Sequence, residues 1–128
     1  MKKIVTVIAI IALVALLGTM LFACTPSNVK KATKKLEKAD YTVTTAEIPE
    51  EYKKVGVDGY IEARKGDDYL EAIHFDTLKN ARAFRKDHDE DFNEKQSTYA
   101  AAFGNVSIQR IGKWIVLGTE EAINAFKK

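Results

Sequence analysis

Five lysines crowd one short stretch of the chain: Lys30, Lys31, Lys34, Lys35 and Lys38. At about 100° per residue they share one face of a helix, with Glu37 at its edge and Val29, Ala32, Leu36 and Ala39 opposite. Such a face performs no reaction. It suits attraction to an anionic surface, where each lysine contributes about 1 kcal/mol, screened by salt. A plain solvated helix face carries the same pattern. The second charged cluster is acidic and runs from Asp87 through His88, Asp89, Glu90, Asp91, Phe92 and Asn93 to Glu94. Asp87, Asp89 and Asp91 have the spacing that opens a calcium-binding loop, but Phe92 stands where that loop needs Gly and Thr98 where it needs a bidentate Glu. On a helix Asp87, Glu90, Asp91 and Glu94 share a face and are the weak candidates for a divalent ion. A solvated acidic face is the plainer reading.

The two histidines are the remaining acid–base candidates. His74 lies two residues from Asp76, but a His–Asp pair becomes catalytic only with a nucleophile or a metal beside it. No Gly-x-Ser-x-Gly elbow, second histidine at ligand spacing, glycine-rich phosphate loop or dinucleotide fingerprint accompanies it. His88 interrupts an apolar stripe and reads as a boundary histidine rather than a pH sensor. Tyr41, Tyr60, Tyr69, Tyr99 and Trp114 could line a carbohydrate or peptide surface, although aromatics on strands more often pack within the sheet. No catalytic residue, resident metal or cofactor is therefore expected, and the chain reads as a non-enzyme.

A length of 128 residues fits one small domain. With 46% hydrophobic and 30% charged residues, wholesale disorder is excluded. One cysteine excludes a disulfide framework and a thiolate metal site. Lys2 and Lys3 account for the whole excess of 20 basic over 18 acidic residues, so the chain beyond residue 23 has no net charge. That balance argues against nucleic acid as a partner.

The start of the chain is unlike the rest. After Met1-Lys2-Lys3 comes an uncharged run from Ile4 to Ala23. A basic start and a long apolar run form the pattern of an export signal, here long enough to cross a ~30 Å hydrocarbon core as a helix. Leu21-Phe22-Ala23-Cys24 follows, with a small residue directly before the lone cysteine. This segment resembles the lipobox of bacterial lipoproteins. Leu21, Ala23 and Cys24 match that motif, while Phe22 departs from it, since a small or hydroxylated residue is usual there. The resemblance covers residues 1–24 and implies lipidation of the Cys24 thiol and cleavage after Ala23. The alternative is an uncleaved single-pass anchor. Both place the remainder outside the cytoplasm, because Lys2 and Lys3 favour the inside.

The elements that must hold these residues are legible in outline. Residues 24–28 read as anchor and short linker, and residues 29–128 as an extracytoplasmic domain. Asn28 is placed to cap a first helix over 28–39. A strand follows from Tyr41 to Ile48, then loop or a helical turn over 49–58. Strands near 59–64 and 69–75 flank Lys65-Gly66-Asp67-Asp68. Asp76 or Thr77 caps a long helix over 77–96, with Leu78, Ala81, Phe84, His88 and Phe92 as its stripe. A second hairpin turns at Gly112-Lys113, and Thr119 caps a last helix. The order α-β-β-β-α-β-β-α implies an α+β fold, a small antiparallel sheet of about five strands with helices on one face. The long helix carries Lys79, Arg82, Arg85 and Lys86 first and its acids second, the reverse of what the helix dipole favours. Pairing with the lysine helix or with a partner is expected to compensate. The domain also resembles small Gram-positive-type lipoproteins in layout. That likeness implies a location in the cell envelope and no particular activity. The chain is expected to be a lipid-anchored envelope protein acting as an interaction module, with membrane lipid and an envelope protein as partners. An accessory solute- or ion-binding role is the alternative.

Overall fold

The computed structural model describes residues 26–127 and the two-residue strand Ala12–Leu13. Its elements are α1 (Val29–Lys38), β1 (Thr42–Thr45), α2 (Glu50–Lys53), β2 (Val57–Lys65) and β3 (Asp68–Phe75), then α3 (Leu78–Asp87), α4 (Asp89–Phe103), β4 (Val106–Ile111), β5 (Trp114–Thr119) and α5 (Glu120–Lys127). The fold is α+β. Its five strands form one antiparallel sheet in the order β1-β2-β3-β5-β4, and Ala12–Leu13 pairs with the outer edge of β1. The rest of the apolar run, with Ala23 and Cys24, lies outside the described residues.

Local chemistry explains the joints. The Asn28 carboxamide oxygen accepts from the Lys31 N–H at 2.9 Å, and the Thr77 hydroxyl accepts from the Asn80 N–H at 3.1 Å, so each caps its helix. Both hairpins place glycine at the first turn position with positive φ, 61° at Gly66 and 60° at Gly112, as the strand twist requires. Asp40 ends α1 in the left-handed region at φ 74°, letting the Tyr41 N–H reach back to the Leu36 carbonyl at 3.0 Å. Thr119 directly precedes the last helix. It closes β5, and its hydroxyl accepts from the Tyr69 N–H at 3.2 Å and donates to Asp68 at 3.0 Å.

The helices lie on both faces of the sheet rather than on one. Ala32 and Leu36 of α1 and Ile123 and Phe126 of α5 pack with Leu70, Ala72, Trp114 and Val116. Tyr52 of α2, Ala81 and Phe84 of α3 and Phe92 of α4 pack with Ile73, Phe75 and Ile115. Side chains alternate along a strand, so these two sets occupy opposite faces. Each face needs its own helical cover, because β3 and β5 are buried on both sides.

The expected long helix is two helices, broken at His88 (φ −115°, ψ 28°). The break removes the dipole anomaly without any partner. Arg85 and Lys86 occupy the last turn of α3, while Asp89, Glu90 and Asp91 occupy the first turn of α4. Each set now sits at the helix end that favours its charge. Arg85 donates to Asp89 across the break at 2.7 Å.

Candidate functional site

The strongest concentration of ionisable side chains is internal, on the sheet face covered by α4. Register sets Glu62 of β2 directly opposite Glu71 of β3, and both are buried. Lys95 projects from α4 and is 3% exposed, against 2% for Glu71; its ammonium lies 3.3 Å from Glu71 Oε1. The same ammonium donates to the Tyr99 hydroxyl at 2.9 Å, and the Tyr69 hydroxyl donates to Glu71 Oε2. Arg64 donates to Glu62 at 3.2 Å and spreads over the rings of Tyr69 and Phe103. Tyr69 in turn stacks on Phe103 with centroids 4.5 Å apart.

Burial sets the protonation of this cluster. Desolvation pushes the Glu71 carboxyl above the usual carboxylate range, although Lys95 and the hydroxyl donors act against it. Desolvation, aided by Glu71, holds the Tyr60, Tyr69 and Tyr99 phenols far above their ordinary range, so they remain neutral donors. Perturbed titrations of this kind often mark an active site. Here the void beside Glu71 and Lys95 measures about 10 Å³, room for one water and no substrate. The cluster ties α4 to the sheet. Nothing local in the sequence joins Glu71 to Lys95. Only the alternation of Tyr69 and Glu71 with apolar residues marked the strand, and nothing indicated that Glu71 faces inward.

His74 finds a different carboxylate from the one its spacing indicated. Its Nδ1 lies 2.6 Å from Asp58, whereas Asp76 accepts from Asn80 at the start of α3. The cause is an irregularity in β2. Gly59 pairs with His74 and Val57 with Phe75, so Asp58 is the extra residue and turns its side chain onto the imidazole. Trp114 closes the ring edge-on at 4.6 Å. The histidine is 8% exposed and bonded to one carboxylate, an arrangement that fixes an imidazole between strand and helix layers.

Trp114 also anchors the segment that leads into α1. Its indole N–H donates to the Pro26 carbonyl at 2.8 Å, and its ring meets Phe126 edge-on at 5.0 Å. Pro26 is buried, so part of the expected linker belongs to the fold. The lysine face of α1 follows at once. Lys30, Lys31 and Lys38 are exposed, while Lys34 and Lys35 are half-buried. The proposed aromatic surface does not form: Tyr41, Tyr60, Tyr69 and Trp114 are buried.

The four acidic candidates do not share one helix. Asp87 ends α3, and Glu90, Asp91 and Glu94 lie on α4, with Asp91 buried. Among the described residues, no group of three or more His, Cys, Asp or Glu side chains is arranged to hold a metal ion. His88 sits between them, half-buried, stacked on Phe84 at 4.1 Å and donating to the Phe84 carbonyl at 3.2 Å. No helix of the described residues is long and apolar enough to cross a membrane. Compared with known proteins, the chain matches no family model, no curated protein and no solved structure.

Proposed function

We propose that this chain is a lipid-anchored protein of the outer face of the cell membrane, whose domain works by contact with other envelope components rather than by catalysis. The observation that carries the reading is the seat of Pro26. Buried and bonded to Trp114, it is held in the domain two residues after Cys24, the residue that matches the lipidation site of the lipobox. A tether of so few residues reaches less than about 10 Å. It would hold the domain against the bilayer with α1 nearest, and the exposed Lys30, Lys31 and Lys38 would meet anionic headgroups there. An ionic cluster closed against any substrate favours a binding role over a catalytic one.

Mass spectrometry of the natively expressed, membrane-extracted protein tests the reading. The expected species lacks residues 1–23 and carries acyl chains, and Cys24→Ser yields an unlipidated chain that retains the apolar segment. A wild-type protein that keeps residues 1–23 with an unmodified Cys24 refutes it. So does a Cys24→Ser variant trimmed at the same bond as an equally unlipidated wild type.

A further inference from the structure

A second basic surface lies on the far side of the sheet from α1. Arg82, Arg85 and Lys86 of α3 and Arg110 of β4 line an open cleft of about 520 Å³, with Asp89 at its rim. The volume is in the range that small ligands occupy. The topology builds this cleft from two elements. β4 is an edge strand, and Ile108 packs toward the cluster formed by α3 and α4. Arg110 is two residues further along β4, so it rises on that same side, beside the outer flank of α3.

The charges within the cleft are unequal. Asp89 neutralises Arg85, and Arg110 donates to the Gly112 carbonyl at 3.0 Å. Arg82 and Lys86 have no hydrogen-bond or ion-pair partner among the described residues. Arg82, Lys86 and Arg110 therefore border the hollow without an ion-pair partner, while Lys86 also borders a neighbouring hollow lined by Asp87, Asp89, Glu90 and Asp91. Arg82 and Lys86, four residues apart on one helix, repel at a cost of a few tenths of a kcal/mol. A multiply charged anion in the cleft relieves that repulsion. Three guanidinium groups present paired N–H donors suited to phosphoryl oxygens, which lysines alone do not.

We propose that Arg82, Arg85, Lys86 and Arg110 form a binding site for a soluble phosphoryl anion bearing two or more charges, such as a phosphate ester or pyrophosphate. The source is soluble rather than a lipid headgroup of the bilayer that α1 would face, because α1 and α3 cover opposite faces of the sheet. The site itself does not depend on lipidation of Cys24.

The test is titration of the purified full-length chain with inorganic pyrophosphate at physiological salt, followed by calorimetry. Phosphatidylcholine nanodiscs serve as the first membrane. Saturable binding is expected, and Arg82→Gln with Arg110→Gln weakens it roughly tenfold or more. A control with Lys30→Gln and Lys31→Gln removes the same charge from α1 and changes affinity less than about twofold, since α1 lies across the sheet from the cleft and salt screens charges beyond ~8 Å. A thermal melt of each variant establishes that it is folded. Absence of binding by the wild type at millimolar pyrophosphate overturns the proposal, as does equal loss in both variants. Repeating the titration in phosphatidylglycerol nanodiscs separates the sources. Unchanged affinity supports a soluble ligand, and loss of the Arg82- and Arg110-dependent binding there overturns that assignment.

Discussion

Replacing Lys95 with Met tests the account of the internal cluster most directly. Lys95 and Glu71 are 3% and 2% exposed, so neither charge has water as an alternative partner. Removing the ammonium leaves the Glu71 carboxylate buried with hydroxyl donors alone, and breaking such a pair costs about 3–5 kcal/mol. A domain of this size has roughly 5–15 kcal/mol of stability in all. The melting temperature of Lys95→Met should fall by roughly 12–40 °C, at about 4–8 °C per kcal/mol. The loss depends on pH, and its sign follows from proton counting. Burial raises the folded-state pKa of Glu71 above its unfolded value, and loss of Lys95 raises it further. Between those two values the folded state binds more protons, so stability falls as pH rises, by at most about 1.4 kcal/mol per pH unit. The deficit of Lys95→Met should therefore be largest at neutral pH and above and shrink on acidification, as a neutral Glu71 becomes accessible. Glu71→Leu combined with Lys95→Met should recover most of the loss, because no bare charge remains. Thermal melts followed by circular dichroism across a pH series supply the measurement. A Lys95→Met protein within about 0.5 kcal/mol of wild type at neutral pH, or one whose deficit grows on acidification, refutes the reasoning.

Three further outcomes follow from particular atoms. A Cβ at Gly118 would sit 2.6 Å from the Tyr69 carbonyl oxygen and 3.1 Å from Leu70 Cα, both backbone. Gly118→Ala should thus destabilise the β3–β5 pairing by about 1–3 kcal/mol in a denaturant titration. Asp40 occupies the left-handed region at φ 74°, where glycine has no Cβ penalty, so Asp40→Gly should raise the melting temperature by a few degrees. Trp114→Phe keeps a ring but leaves the buried Pro26 carbonyl without its donor. It should cost about 1–3 kcal/mol and speed hydrogen exchange first in the opening turn of α1.

Much of the fold was legible because its signals are local. Asn28, Thr77, Gly66 and Gly112 each act within four residues, and each marks a true joint. The two-sided burial of the sheet had a signal of its own. Trp114-Ile115-Val116-Leu117 is a run of consecutive apolar residues, the pattern of a strand covered on both faces. The break at His88 lacks Gly or Pro, so apolar periodicity ran straight through it. The reversed charge order was its only trace, since bases before acids is correct for two successive helices and wrong for one. The chemistry was harder to read. Spacing indicated Asp76 for His74, yet one extra residue in β2 delivers Asp58. Glu71 meets Lys95 only because α4 folds back over β3, and no window of sequence holds both.

Trp114 grips both limits of the domain at once: the indole N–H holds Pro26, and the ring packs on Phe126 of the closing helix. Tension entering at Pro26 would pass directly to β5, an interior strand flanked by β3 and β4, without unravelling α1 first. One indole thus fastens Pro26 and the closing helix to the same strand, and a fluorophore or affinity handle fused beyond Lys127 would emerge near Pro26.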